Sequence, residues 1–177
     1  MGKATPIMMA VLLMTTTLAG CFGDIGDSET QDTGDSETLD SRCQDAIDDI
    51  ENGTWVRDHD EERNLKGCDF SGMDLSGLDF GLANFEGATL SGADLRNANL
   101  TAADLNNANL SNADLRYADL SYAYLKHADL YGADLSHADL KNADLIGADL
   151  TSVDWNETTC PDGTNSDDNG DTCENNL

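Results

Sequence analysis

The chain has 177 residues, with 35 Asp and Glu against 9 Lys and Arg, for a formal charge of −26. That charge repels nucleic acid and bare anionic membrane surfaces, so no nucleic-acid partner is expected. No serine or cysteine has a base nearby in the sequence pattern, and phosphate-loop and dinucleotide motifs are absent. The chain is therefore expected not to be an enzyme and to carry no cofactor.

Residues 1–20 begin with the charged Lys3 and run through a largely apolar stretch from Ile7 to Leu18, which is too short to span a bilayer comfortably. The stretch ends in "LAGC", Leu18 to Cys21. This resembles the lipobox of prokaryotic lipoproteins, in which the chain is cut before the cysteine and that cysteine is lipidated. The resemblance implies a signal peptide over 1–20, a membrane partner engaged through a lipid on Cys21, and an extracytoplasmic place in the cell envelope. Residues 21–40 are small and acidic and contain "GDSET" twice. Such a segment cannot bury enough surface to fold. It is expected to be a disordered tether with a reach of roughly 25 Å.

Residues 41–62 supply a lid and a connection. Ser41 with Gln44 fits a capping box. Cys43, Ala46, Ile47 and Ile50 form one apolar stripe at helical spacing, and Gly53 suits a stop. A short helix over 41–53 is expected to lie on the start of the following domain.

That domain repeats every five residues. Leu90 opens a run of leucines at every fifth position to Leu150, with Phe70, Leu75, Phe80 and Phe85 upstream and Trp155 downstream. Two residues before each sits a small residue, from Ala83 to Ala148, and the residue between is nearly always Asp or Asn. With weak ends included, nineteen units cover 63–157. A helix advances about 100° per residue, so a period of five would spiral the leucines around it with no apolar face. In a straight strand, successive leucines would alternate sides. Within one unit, however, Ala and Leu share a side. The chain must therefore bend once per unit, at the second residue after Leu, where Gly67, Gly72, Gly77, Gly87, Gly92, Gly132, Gly147, Asn97, Asn107, Asn112 and Asn142 stand. Four bends of about 90° would close a square coil of about 20 residues, and stacked coils would pair like parallel strands about 4.8 Å apart.

Units such as "ADLRN", "ANLTA", "ADLNN", "ANLSN" and "ADLYG" resemble the pentapeptide-repeat family, A(D/N)Lxx. The resemblance implies an all-β solenoid, a right-handed quadrilateral β-helix, here with a short N-terminal capping helix. The early units depart from the pattern: Cys68, Met73 and Leu78 stand where Ala is usual, which suggests a wider or plugged first coil.

Residues 158–177 form an acidic tail. Apart from Cys21 there are four cysteines, Cys43, Cys68, Cys160 and Cys173, an even number that suggests two disulfides in an exported protein. Three connectivities are open. Local pairing, Cys43–Cys68 and Cys160–Cys173, is favoured because the repeat tract separates the pairs. Asn165, Asp167, Asn169 and Gly170 match the start of a calcium loop, but position 1 is Asn and position 12 is Asn176, so no metal site is assigned.

Stacking at 20 residues aligns Asp74, Asp94, Asp114, Asp134 and Asp154 in a ladder, with Arg96 and Arg116 on the same face. Neighbouring carboxylates would repel by roughly 0.9 kcal/mol at water's dielectric before screening. Tyr117 and His137 share a column one coil apart and are the candidate contact for an unidentified protein partner. The leading reading is a non-enzymatic, lipid-anchored, extracytoplasmic scaffold or interaction module. Two alternatives stand beside it. The family resemblance also implies an acidic DNA mimic that modulates topoisomerases, which requires the cytoplasm. The Asp ladder allows a divalent-cation-binding surface protein.

Overall fold

Parallel bridges join residues 20 apart, from Asn64–Asn84 through Asp74–Asp94 to Asp139–Thr159. The computed structural model describes residues 39–55 and 63–174. The expected signal peptide, Cys21 and most of the tether lie outside the described residues, as do the connection over 56–62 and residues 175–177. Within the described repeat tract the chain winds into a coil of four sides, one unit to a side.

The turns follow one rule. After each inward residue i, the carbonyl of i accepts from the N–H of i+3, as in Ala93 to Leu90 at 3.1 Å. Positive φ falls on i+2, as at Gly92 and Asn97. These are type II turns. Three extended residues separate successive turns, and only the middle one bridges its neighbour. The bridges therefore stay isolated and do not merge into the continuous parallel strands that stacking alone would suggest.

The unit from Ala113 to Tyr117 accounts for all five of its N–H groups. Ala113 closes a turn on Leu110 at 3.0 Å. Asp114 donates to Ala93 one coil back, and Leu115 and Tyr117 donate to Asp134 and Ser136 one coil on, at 3.0, 2.8 and 3.1 Å. Arg116 N–H donates to the Asp114 side chain at 3.3 Å. A buried backbone with no orphan donors needs no longer ladder.

Inside, Leu90 through Leu140 are exposed by 1% or less, and the alanines two residues ahead of them are equally enclosed. The first coil is filled differently. Phe70, Phe80 and Phe85 pack edge to face, with centroids 5.9 and 5.2 Å apart, and Met73 and Leu78 are only partly buried against them. At the other end the coil runs past residue 157. Thr158 and Cys160 turn inward, and Thr159 bridges Asp139. The letters of the repeat are lost there, but Thr158 is small enough for the inward place and its hydroxyl donates to the Leu135 carbonyl at 2.8 Å.

Helix α1 spans Leu39–Glu51. It begins two residues before the expected start, so Ser41 lies inside the helix and is not its N-cap, which must be non-helical. Gln44 turns along the helix instead, its Nε2 donating to Asp48 Oδ1 at 2.8 Å. Gly53, at φ 67°, ends it: Thr54 N–H reaches the Asp49 carbonyl and Gly53 N–H that of Ile50, a Schellman arrangement. The predicted stripe faces the coil, with Ala46 buried and Cys43, Ile47 and Ile50 packed against the core. Trp55 follows, 4.9 Å from Phe80 and capped by the Arg63 guanidinium at 4.1 Å.

Candidate interaction surface

Alternation sends the Asp or Asn before each inward Leu to the outside. One oxygen of that side chain is nevertheless committed. Asp119 Oδ1 accepts from Ser121 N–H at 2.9 Å, and Asn109 Oδ1 from Ser111 N–H and hydroxyl at 3.0 and 2.7 Å. The first turn residue has no backbone partner, and the Asx side chain supplies one. Where Tyr124 takes the Asx place, Lys126 N–H turns to Asn106 Oδ1, one coil away, at 2.9 Å. Asn109→Ala should therefore cost about 1 kcal/mol in urea unfolding, whereas Asn109→Asp, which keeps the acceptor, should stay within about 0.5 kcal/mol.

The aspartate ladder forms as one column, Asp74 bridging Asp94, then Asp114, Asp134 and Asp154. Two arginines divide it. Arg116 grips Asp114 with Nε at 2.8 Å and Nη2 at 2.5 Å, and its Nε lies 3.5 Å from Asp134. Arg96 holds Asp94 in the same fork and reaches Asp114 at 3.6 Å. Each fork joins two coils and offsets the repulsion between them.

These partners hold carboxyls below their ordinary range. The Arg96 and Arg116 side chains do so for Asp94 and Asp114. The hydroxyl and then the N–H of Ser71, Ser76 and Thr151 do so for Asp69, Asp74 and Asp149. A carboxyl depressed on folding binds protons more readily in the unfolded chain, so its stabilisation is present above the unfolded value of about 3.9 and is lost as the pH falls through the folded value. The melting temperature should be flat from pH 7 to 5 and fall below about pH 4. A rise on acidification would mean that relief of the net charge outweighs these contacts.

Tyr117 and His137 stack one coil apart, with centroids 4.6 Å apart and planes 4° from parallel. His137 Nδ1 lies 3.2 Å from Glu157 Oε2 in the next coil of the same column. Both aromatic residues occupy the i+2 corner with positive φ, as do Tyr122 and His127. Side chains at these corners lean on the next coil: the His127 ring covers Gly147 so closely that a Cβ there would stand 2.5 Å from Nδ1. From Ala88 to Leu150 the inward places hold only alanine and leucine, and the variety lies outside.

The pentapeptide repeats family matches residues 64–101, 93–130 and 118–154, together more than half of the chain. This chain is a pentapeptide repeat protein. Similar solved structures include HetL, involved in heterocyst differentiation regulation in the cyanobacterium Nostoc sp. strain PCC 7120, at 34% identity over 58% of this chain and 53% of HetL, TM-score 0.36. Another is Rfr23 from the cyanobacterium Cyanothece 51142, at 24% identity over 67% of this chain and 96% of Rfr23, TM-score 0.35. A third comes from the thylakoid lumen of Arabidopsis thaliana, at 36% identity over 54% of this chain and 66% of that one, TM-score 0.27. The matched part thus spans about half of HetL's length. No curated protein matches.

In this pentapeptide repeat protein the four described cysteines pair locally. Cys43 joins Cys68, tying α1 to the first coil, and Cys160 joins Cys173, with Cα separations of 5.4 and 5.2 Å. The second bridge folds the tail over the end of the stack. Glu157 N–H donates to Asp167 Oδ1 at 2.9 Å, and the Ser166 hydroxyl donates to the Trp155 carbonyl. Of the residues that resemble a calcium loop, Asn165 and Asp167 are used here as backbone acceptors, while Asn169 Nδ2 donates to Thr164 Oγ1 and the Asn165 carbonyl; Asn165 caps a 3-10 turn over Ser166–Asn169 and accepts from Asp167 N–H. Asn176 lies outside the described residues. Among the described residues no group of three or more His, Cys, Asp or Glu converges as a metal-ligand set. A polar cleft of about 470 Å³ lies beside the tail, lined by Val153, Asp154, Trp155, Asn156 and Asp171.

Proposed function

We propose that this pentapeptide repeat protein is a non-enzymatic scaffold, a right-handed coil as in its family, that is lipid-anchored outside the cytoplasm and displays side chains to a protein partner. The observation that carries the display role is the division of labour along the coil. From Ala88 to Leu150 the inward positions hold only alanine and leucine, while the outward ones hold exposed tyrosines and a stacked Tyr117–His137 pair. The anchor rests on the order of apolar segment, small residues and Cys21. Cys21→Ser should abolish incorporation of labelled fatty acid and shift the chain from the detergent phase to the aqueous phase. Unchanged partitioning and unchanged mass would sink the anchor. Pull-down from intact membranes, with Tyr117 and His137 present or replaced, tests the partner contact.

The charge of −26 favours a second reading, an acidic mimic of DNA that acts on a topoisomerase. It requires a cytoplasmic chain with an uncleaved N-terminus. Inhibition of gyrase supercoiling by the purified chain, together with retention of residues 1–20 in cells, would favour it over the anchored scaffold.

A further inference from the structure

All four tyrosines of the chain, Tyr117, Tyr122, Tyr124 and Tyr131, fall within one coil. Each is about half exposed, at 57, 57, 52 and 49%. Tyr117, Tyr122 and Tyr124 take closely spaced outward positions along eight residues, across one side of the coil and around its corner. Tyr117 is backed by the His137 ring. Between Tyr117 and Tyr122 the outward residue is Asp119, bridged to Asp139 on the next coil, and Tyr124 stands between Asp104 and Asp144. Asp144 is paired with Lys126 at 3.0 Å. Among the described residues Asp104, Asp119 and Asp139 have no ion pair, in contrast to the Asp94–Asp134 side, where arginines already occupy the carboxylates.

We propose that the face formed by Tyr117, Asp119, Tyr122 and Tyr124 docks an arginine-bearing segment of a cationic protein partner. This rests on the scaffold reading above and names the chemistry of its partner. A guanidinium lies flat on an exposed tyrosine ring and forks to a carboxylate beside it, using both features of the face at once. A neutral sugar would use the rings and leave the carboxylates idle. A second copy brings another −26 and is repelled.

The test uses the full chain in detergent micelles and a fluorescent octa-arginine peptide at near-physiological salt. The variant Tyr117→Asn/Tyr122→Asn/Tyr124→Asn removes the rings and leaves the charge untouched. Asn already occupies the same columns at Asn97, Asn142 and Asn84, so the coil accepts it. Peptide affinity should fall about tenfold, the sum of several exposed ring–cation contacts. Tyr131→Ser, outside the face and matching Ser111 one coil back, should change nothing, and octa-lysine should bind more weakly than octa-arginine. Equal affinity in parent and triple variant overturns the proposal. So does ring-dependent, salt-insensitive binding of chitohexaose, which assigns the face to a glycan, or self-association that the triple variant abolishes, which assigns it to a second copy. If the triple variant melts early, Asp119→Asn/Asp139→Asn, which keeps both turn acceptors, must show the same loss for the proposal to stand. Detergent partitioning through Cys21 is unaffected in every arm, so failure here leaves the anchored scaffold to its own test.

Discussion

Leu115→Ala is expected to cost about 2–5 kcal/mol in denaturant unfolding. Leu115 is fully enclosed at mid-stack, between Leu95 and Leu135 of the coils before and after it. The wall around it is made of turns pinned to the coils above and below, so it cannot collapse into the space left behind. That rigidity places the substitution towards the upper part of the range, since the cost grows with the cavity that remains. Ser111→Ala is the matched control. Ser111 faces outward, and its hydroxyl only duplicates the bond its N–H makes to Asn109. It should change stability by less than about 0.5 kcal/mol. Similar losses at the two positions would show that the inward register has been set wrongly.

The register itself was legible because it is a steric matter. A period of five is incompatible with helix and straight strand, and glycine or asparagine recurs where a bend is needed. The coil of four sides follows from those two facts, and the bridges at 20 residues agree with it. Two things were not legible. The outward Asp and Asn read as surface charge, because their part in satisfying the first turn residue depends on a side-chain torsion that spacing does not reveal. Likewise Tyr117, Tyr122, His127 and His137 gave no sign that they adopt positive φ. The hydrogen bonds of the neighbouring coils impose that conformation on whatever residue occupies the corner, overriding a local preference worth roughly 1–2 kcal/mol. The surface pair Tyr117–His137 was placed by register alone, and the same register puts Glu157, the last residue of the repeat tract, next in that column, where it meets His137. The capping box failed for a different reason. Leu39 and Asp40 continue the helix past Ser41, so Ser41 lacks the non-helical position that an N-cap requires.

Loss of the Cys43–Cys68 bridge is the second large effect. Cys68→Ala is well suited to the test, because Ala is what the repeat places at that inward position in later units. Cys43→Ser/Cys68→Ala should lower stability by about 2–4 kcal/mol. The bridge spans 25 residues, against 13 for Cys160–Cys173. Loop-closure entropy alone makes the longer loop worth about 0.6 kcal/mol more. The consequence should be local before it is global. Helix α1 meets the coil through Ala46 and the partly buried Cys43, Ile47 and Ile50, a small apolar contact for a helix of 13 residues. Without the bridge, its amides should exchange faster than those of Leu105 to Leu125, which are pinned between coils. Undocking would uncover the Phe70 and Phe80 end of the core, where three aromatic rings replace the usual leucines, and so favour association of chains. Hydrogen exchange read by mass spectrometry separates the two levels. Faster exchange confined to residues 39–55 is the expected result, and uniform acceleration across the repeats would show that the bridge supports the whole stack and not its lid. Reduction of the parent protein should reproduce the variant. Insensitivity of both the denaturant midpoint and the α1 exchange to reductant would show that Cys43 and Cys68 are not joined in the protein as purified.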